Sequence, residues 1–78
     1  MTPPVKIDTQ LAHALRDMRE CAGLSQEELA HRAGITVTAI GRTERGRVNP
    51  TWTTLRSILA GLQASLADLQ AAIERAKV

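Results

Sequence analysis

The stretch GITVTAIGRTERGR, residues 34 to 47, decides the fold because its residues favour two different structures. From Ile35 to Ala39 it alternates apolar and polar residues, several of them β-branched, which is typical of a strand. Gly41 then weakens any helix that includes it. A strand here would have no partner, however, because no other part of the chain alternates over a useful length, and an unpaired strand is not stable in water. The sequence therefore predicts a helix of poor intrinsic propensity.

Helix-capping residues bound this segment and the helix before it. Ser25 followed by Glu28 predicts a capping box, and Gly34 predicts a left-handed stop about two and a half turns later. Thr36 can then cap a new helix, which Gly46 closes. The sequence thus predicts two short helices joined by a tight turn.

Similar signals bound the remaining helices. Asp8 caps a first helix that ends at Gly23, Thr51 caps a fourth, and Ser65 with Asp68 caps a fifth. The inward faces predicted from helical spacing are Leu11, Leu15, Met18 and Ala22, then Leu29, Ala30 and Ala33, then Ile40, and then Trp52, Leu55, Ile58, Leu59 and Leu62. The fifth helix carries a stripe of Leu66, Leu69, Ile73 and Ala76. We predict a compact all-α domain of five helices, residues 8 to 78, after a loose N-terminal arm, residues 1 to 7.

The composition of the 78-residue chain narrows the function classes. Trp52 is the sole aromatic residue, so the stacked rings on which proteins bind single-stranded bases are missing. Cys21 is the single cysteine and can form no internal disulfide, and residues 1 to 10 lack the apolar region of a secretion signal. The longest apolar run, residues 58 to 62, is too short to span a bilayer. We expect a cytoplasmic protein without membrane association, whose small core would gain from a partner subunit.

Positive charge is concentrated between residues 36 and 56. Arginines at positions 42, 45, 47 and 56 face Glu44 alone, so this stretch carries +3 in a chain whose net charge is +2. A segregated basic patch attracts phosphates. The alternative is a face of arginines that are merely solvated.

Catalytic and metal-binding patterns are missing from the sequence. No serine, histidine and acid arrangement, phosphate-cradling glycine loop or carboxylate pair is recognisable. His13 and His31 fall on different helices, away from any cysteine or carboxylate cluster at ligand spacing. We therefore expect no enzymatic activity, no cofactor and no metal site, and interpret both histidines as surface residues.

Four short pieces of sequence occur in a fixed order. They are LSQEELA from Leu24, AGIT from Ala33, ERGR from Glu44 and NPT from Asn49. Together they resemble the DNA-binding domain of the phage repressor, Cro and XRE family, over roughly residues 15 to 69. Each piece is weakly specific alone, whereas the ordered set is strongly specific.

The resemblance implies a lambda-repressor-like helix-turn-helix domain that binds double-stranded DNA. The helix after Ser25 would cross the DNA backbone, and the helix after Thr36 would enter the major groove. Such a recognition helix keeps one side for the core, here chiefly Ile40, while its other residues serve DNA and need no high helix propensity. The base-reading residues implied are Val37, Thr38, Ala39 and Arg42. The phosphate-binding residues implied are Ser25, Gln26, Thr36, Arg45, Arg47 and Asn49. The alternatives are that Gln26 is an idle surface residue and that Thr36 only caps its helix.

Two positions of the recognition helix depart from the family pattern. Thr43 replaces the usual apolar core residue, so either its methyl packs inward while its hydroxyl bonds back to Ala39, or the helix is rotated. Gly41 costs about 0.5 to 1 kcal/mol relative to alanine. A rotation would bear on Arg42, which either reads guanine, contacts phosphate or pairs with Glu44.

An ion pair and a dimer interface are also expected. By resemblance to the family, Arg19 would pair with Glu44 and tie the first helix to the third; the alternative partners for Arg19 are Glu28 and Asp17. Leu66, Leu69 or Ile73 would lie at a two-fold interface, unless that stripe is used up inside the monomer. We expect a homodimeric regulator of the controller-protein or small-repressor kind on a palindromic operator, with RNA polymerase as a further candidate partner. The alternative is a helical interaction module, such as an antitoxin, that neutralises a protein.

Overall fold

The computed structural model describes residues 6 to 76, and every regular element in that range is an α-helix. The helices are α1 (Thr9–Cys21), α2 (Gln26–Ala33), α3 (Val37–Glu44), α4 (Trp52–Leu62) and α5 (Leu66–Ala76). Residues 37 to 44 therefore form a helix rather than a strand. The predicted five-helix, all-α fold is confirmed.

Side-chain caps begin the five helices at the predicted positions. Asp8, Thr36 and Thr51 each accept a hydrogen bond from the backbone amide three residues later, at 2.9 to 3.1 Å. Ser25 and Ser65 each form a reciprocal capping box with the acidic residue three positions on. A cap of this kind contributes about 1 kcal/mol. The contribution matters most for α2 and α3, because helices of only 8 residues are marginal by themselves.

The helices pack in two pairs around one core. α2 lies against α4 and α1 lies against α5, while α3 contacts both α2 and α1. Leu15, Leu29, Ile40 and Ile58, which come from α1, α2, α3 and α4, are the largest fully buried side chains. Each such side chain contributes about 1.5 to 3 kcal/mol by its burial. Since Ile40 is the one large apolar side chain that α3 buries, the opposite side of that helix stays outside the core.

α2 and α4 approach each other closely at Gly61. A Cβ placed there would lie 3.1 Å from the Ala33 amide nitrogen and 3.1 Å from Cδ1 of Leu29. The missing side chain lets the two helices come into direct contact. This contact fixes α2, and with it the turn that leads into α3.

Two residues predicted to face inward are exposed instead. Trp52 is 56% exposed because it is the first residue of α4, where side chains lean toward the helix N-terminus and therefore past the end of the core. Ala22 is exposed because α1 ends at Cys21 and Ala22 only caps it. Ala14 and Ala72, which were not predicted, are buried in the core.

Candidate nucleic-acid interface

The turn between α2 and α3 sets which side of α3 faces outward. α2 ends at Gly34, whose φ of 71° is left-handed, and Ile35 then packs partly buried against the core. On α3, Ile40 is 1% exposed whereas Val37 is 43% exposed. The helix therefore has one buried side and one side that is open to solvent.

The residues predicted to read bases lie at this open side or beside it. Val37, Thr38 and Arg42 are exposed, and Ala39 is partly buried. Thr38 and Arg42 are one helical turn apart, so their side chains share a side of the helix. None of these four side chains makes a hydrogen bond or an ion pair within residues 6 to 76.

Thr43 is buried, and its hydroxyl bonds back along α3. Its side chain is 3% exposed, and its hydroxyl donates a hydrogen bond of 2.9 Å to the carbonyl oxygen of Ala39. This is the first of the two arrangements that the sequence allowed, with the hydroxyl satisfied inside the helix and the methyl packed inward. Thr43 thus occupies a buried position on α3 with its hydroxyl satisfied.

Glu44 joins α3 to the two preceding helices. Its Oε2 accepts a hydrogen bond from Nε of Arg19 at 2.7 Å, and its Oε1 accepts from Nη2 of Arg19 and Nε2 of Gln26, each at 3.0 Å. Nη1 of Arg19 also donates to the carbonyl oxygen of Leu24 at 2.8 Å. The hydrogen bond with Glu44 raises the pKa of Arg19 above its ordinary value. The ion pair expected between Arg19 and Glu44 is present, and it holds α3 against α1.

Gln26 has a partner that the sequence did not reveal. One amide hydrogen is committed to Glu44, so the side chain is partly buried rather than fully extended into solvent. The contact spans 18 residues of sequence, and neither residue lies in a local pattern that signals it. A phosphate contact for Gln26 stays a prediction that involves its second amide hydrogen.

Three arginines line a shared groove beside α3. Arg42, Arg45 and Arg47 surround it together with Val48, and all three arginines are exposed. The alternative pairing of Arg42 with Glu44 is not found, because Arg19 and Gln26 take up the Glu44 carboxylate. Within the described range none of the three guanidinium groups has a hydrogen-bond or ion-pair partner. Their donors therefore remain available to an anion or to base edges.

Asn49 has two partners that the sequence did not reveal. Its Oδ1 accepts a hydrogen bond from the Asp8 amide at 2.8 Å, and its Nδ2 donates to the carbonyl oxygen of Lys6 at 2.9 Å, so the phosphate contact predicted for Asn49 stays a prediction that involves its second amide hydrogen. These bonds use both ends of the side-chain amide to attach the start of α1 to the turn before α4. Lys6, near the end of the predicted arm, is thereby bonded to this turn, whereas residues 1 to 5 lie outside the described range.

Leu69 also differs from one of its predicted roles. It is 5% exposed and belongs to the core of the monomer, so its side chain is not accessible to a second subunit. Leu66 is 51% exposed, and Ile73 packs partly buried against the core. Of the three residues predicted for the dimer interface, Leu66 and Ile73 remain candidates.

The part of the chain that the structure describes shows neither a group of metal ligands nor a membrane-spanning helix. Residues 6 to 76 contain no group of three or more His, Cys, Asp or Glu side chains that could hold a metal ion. No helix of this part of the chain is long and apolar enough to cross a bilayer. His13 and His31 are exposed, on α1 and α2 respectively.

A family model and two sequence relatives match most of the chain. The model, which describes a helix-turn-helix domain, matches residues 10 to 72. The HTH-type transcriptional regulator DdrOP3 of Deinococcus deserti is 34% identical over 65 residues, which are 83% of this chain and 50% of that protein. Antitoxin HipB of Escherichia coli strain K12 is 40% identical over 58 residues, 74% of this chain and 66% of that protein. The chain thus spans from half to about two thirds of the length of these relatives.

Two solved structures of restriction-modification controller proteins have a similar fold. Wild-type C.Esp1396I has a TM-score of 0.80 at 25% identity, covering 90% of this chain and 93% of that one. C.AhdI from Aeromonas hydrophila has a TM-score of 0.74 at 30% identity, covering 78% of this chain and 92% of that one. Both similarities extend over whole helical domains rather than over a single motif.

Proposed function

The chain belongs to the XRE-type helix-turn-helix family, and from that premise we propose that it is a transcriptional regulator that binds a specific double-stranded DNA sequence. The observation that carries this proposal is the open side of α3. There Val37 is 43% exposed, and Thr38 and Arg42 have no partner within residues 6 to 76. The major groove admits an α-helix, and side chains such as these can reach base edges from one.

We assign base contacts to Val37, Thr38, Ala39 and Arg42. Arg42 would donate two hydrogen bonds to O6 and N7 of a guanine, and the Val37 methyls would contact the methyl group of a thymine. The engagement of Glu44 with Arg19 supports the role of Arg42, because it occupies the carboxylate that could otherwise pair with Arg42.

Phosphate contacts are assigned to groups at the edges of the motif. Ser25 and Thr36 cap the N-termini of α2 and α3, where unpaired backbone amides attract anions. Gln26 can add its second amide hydrogen, and Arg47, in the turn beyond α3, adds a charge. Such contacts set the register of a protein on DNA without reading its sequence.

A second copy of the chain completes the proposed regulator. Leu66 is 51% exposed at the start of α5, and Ile73 lies seven residues later on the same side of that helix. A two-fold contact through these residues would join two subunits. It would place two recognition helices about 34 Å apart, which matches half-sites one helical turn apart. The operator would then be palindromic.

The similar solved structures favour a controller protein or a small repressor. Such a regulator would act in the cytoplasm on the chromosome, and its position relative to a promoter, with or without contact to RNA polymerase, would decide between repression and activation. A second candidate is a DNA-binding antitoxin that neutralises a protein partner. It is favoured by the 40% identity to Antitoxin HipB.

Selection from a random duplex library, followed by binding titrations at several salt concentrations, tests the proposal. We expect a palindromic sequence to be enriched and log affinity to fall linearly with log salt, by about 0.9 for each phosphate neutralised. Arg42→Ala should cost about 1 to 3 kcal/mol and relax the preference at one position per half-site. As the control, Arg47→Ala should weaken selected and random duplexes alike. If no sequence is enriched and no duplex binds at low salt, the result supports the interaction module, whose basic face would be incidental, rather than either DNA-binding candidate.

A further inference from the structure

The guanidinium of Arg45 occupies the space that a side chain at position 41 would fill. A Cβ built on Gly41 would lie 2.9 Å from Nη1, 3.4 Å from Nη2 and 3.5 Å from Cζ of Arg45. The first of these distances is shorter than real Cβ contacts. Gly41 is buried, and the Arg45 guanidinium is one of the groups that lie over it.

Helical geometry places this contact on the open side of α3. Residues 38, 41, 42 and 45 are spaced three and four apart, so they form one stripe along the helix. A side chain on a helix leans toward the N-terminus, which directs Arg45 back over the turn that contains Gly41. Arg45 thus belongs to the same stripe as Thr38 and Arg42, and it lines a groove together with Arg42.

We propose that Gly41 is a positioning residue that seats the guanidinium of Arg45 against α3, and that Arg45, so placed, reads a base in the major groove. This inference rests on the proposed function and refines it. It replaces the phosphate contact that the sequence predicts for Arg45. It also gives Gly41 a physical reason, because any larger residue would displace the guanidinium.

The position over Gly41 restricts the Arg45 side chain before DNA binds. The guanidinium has no hydrogen-bond or ion-pair partner within residues 6 to 76, so in this proposal its position over Gly41 is what restricts it. Ordering a long side chain in advance lowers the entropic cost of binding. Its N–H donors stay free to form the bidentate contact that arginine makes with guanine.

Binding titrations of three single variants on the selected and a random duplex test the proposal. Arg45→Ala should reduce the ratio of specific to random affinity about 5- to 100-fold per half-site. Gly41→Ala should reduce it about 2- to 10-fold, because the arginine remains but is no longer seated. Arg47→Ala is the matched control and should leave the ratio unchanged. If Arg45→Ala weakens both duplexes equally, Arg45 binds phosphate and the proposal is wrong.

The double variant Gly41→Ala/Arg45→Ala separates positioning from direct contact. With Arg45 absent, Gly41→Ala should have no further effect on affinity. If it weakens binding equally in both backgrounds, DNA approaches the Gly41 backbone directly and the positioning role is refuted. The thermal stability of Gly41→Ala should be equal to or above that of the natural chain, because alanine favours the helix and the displaced side chain is flexible.

A measurement without DNA keeps this test independent of the proposed function. Nitrogen-15 relaxation of the Arg45 Nε–H group, assigned by its loss in Arg45→Lys, should show an ordered side chain in the natural protein and a mobile one in Gly41→Ala. Equal mobility in both proteins would refute the positioning of Arg45 by Gly41, even if the protein binds DNA. Conversely, an ordered Arg45 side chain in a protein that binds no duplex would support that positioning and refute the proposed DNA-binding function.

Discussion

Glu44→Ala tests what holds α3 in place. Glu44 is 7% exposed, and its carboxylate accepts two hydrogen bonds from Arg19 and one from Gln26, at 2.7 to 3.0 Å. Alanine would leave the Arg19 guanidinium, whose side chain is 11% exposed, without a counter-charge. Its remaining bond to the Leu24 carbonyl oxygen does not compensate for that charge. Breaking a buried pair from one side costs about 3 to 5 kcal/mol.

A loss of this size is large for so small a protein. A chain of 78 residues is expected to unfold with a free energy of about 4 to 12 kcal/mol. Glu44→Ala would therefore remove a large share of the stability, and each kcal/mol lost lowers the Tm by about 4 to 8 °C. Urea titration followed by far-ultraviolet circular dichroism measures the loss as a lower midpoint with an unchanged slope.

The chain offers a matched control for this experiment. Arg16 and Glu20 form an ion pair at 3.7 Å whose side chains are 59% and 52% exposed, so Glu20→Ala should cost no more than about 0.5 kcal/mol. Replacing both buried partners, in Arg19→Met/Glu44→Leu, should restore much of what Glu44→Ala loses. A loss below about 1 kcal/mol for Glu44→Ala would show that solvent screens the pair and that apolar packing alone positions α3.

Four further changes have defined outcomes. Gln63 closes α4 with a left-handed φ of 54°, so Gln63→Gly should stabilise the fold by about 0.5 to 1 kcal/mol in urea titrations, and a loss would contradict the strain argument. Asn49→Ala should cost about 1 to 2 kcal/mol and speed hydrogen exchange at the Asp8 amide, whereas unchanged exchange would mean that the tether is absent in solution. Leu66→Glu should shift the sedimentation coefficient from that of a dimer toward that of a monomer, whereas the control Ala60→Lys, at another exposed site, should not. A natural chain that is already monomeric at high micromolar concentration would exclude the dimer. Hydrogen bonds from Ser25 and Ser65 lower the pKa values of Glu28 and Asp68 in the folded chain. The stability that these bonds contribute is therefore present above the unfolded-state pKa values near 4, and it is lost as the pH falls through the lower folded-state pKa values. Glu28→Gln/Asp68→Asn should therefore lose less stability than the natural chain between about pH 5 and pH 3, and equal losses would assign the acid sensitivity to other groups.

The helices could be predicted because their signals are local. A cap needs only a serine, threonine or aspartate and the amide three residues later, so Asp8, Ser25 and Thr36 were recognisable without a structure. The helical state of residues 37 to 44 needed one further step, since their alternation favours a strand. The absence of any partner strand in the sequence supplied that step.

The parts of the interface that were missed depend on distant segments or on side-chain placement. Asn49 meets Lys6 and Asp8 across 43 and 41 residues, and no spacing rule connects those positions. Apolar spacing likewise identifies the side of a helix that faces inward but not where the core ends. Trp52 therefore lies outside the core, whereas Leu69 lies inside it rather than at a subunit surface.

Trp52 also gives the molecule a particular optical behaviour. The chain contains no tyrosine, so its near-ultraviolet absorbance and emission come from a single indole. Because that indole is already 56% exposed when the chain is folded, denaturation changes its surroundings little, and the emission wavelength should barely move as the core melts. Intrinsic fluorescence is thus a poor measure of whether this protein is folded. It reports instead on whatever comes close to the first turn of α4.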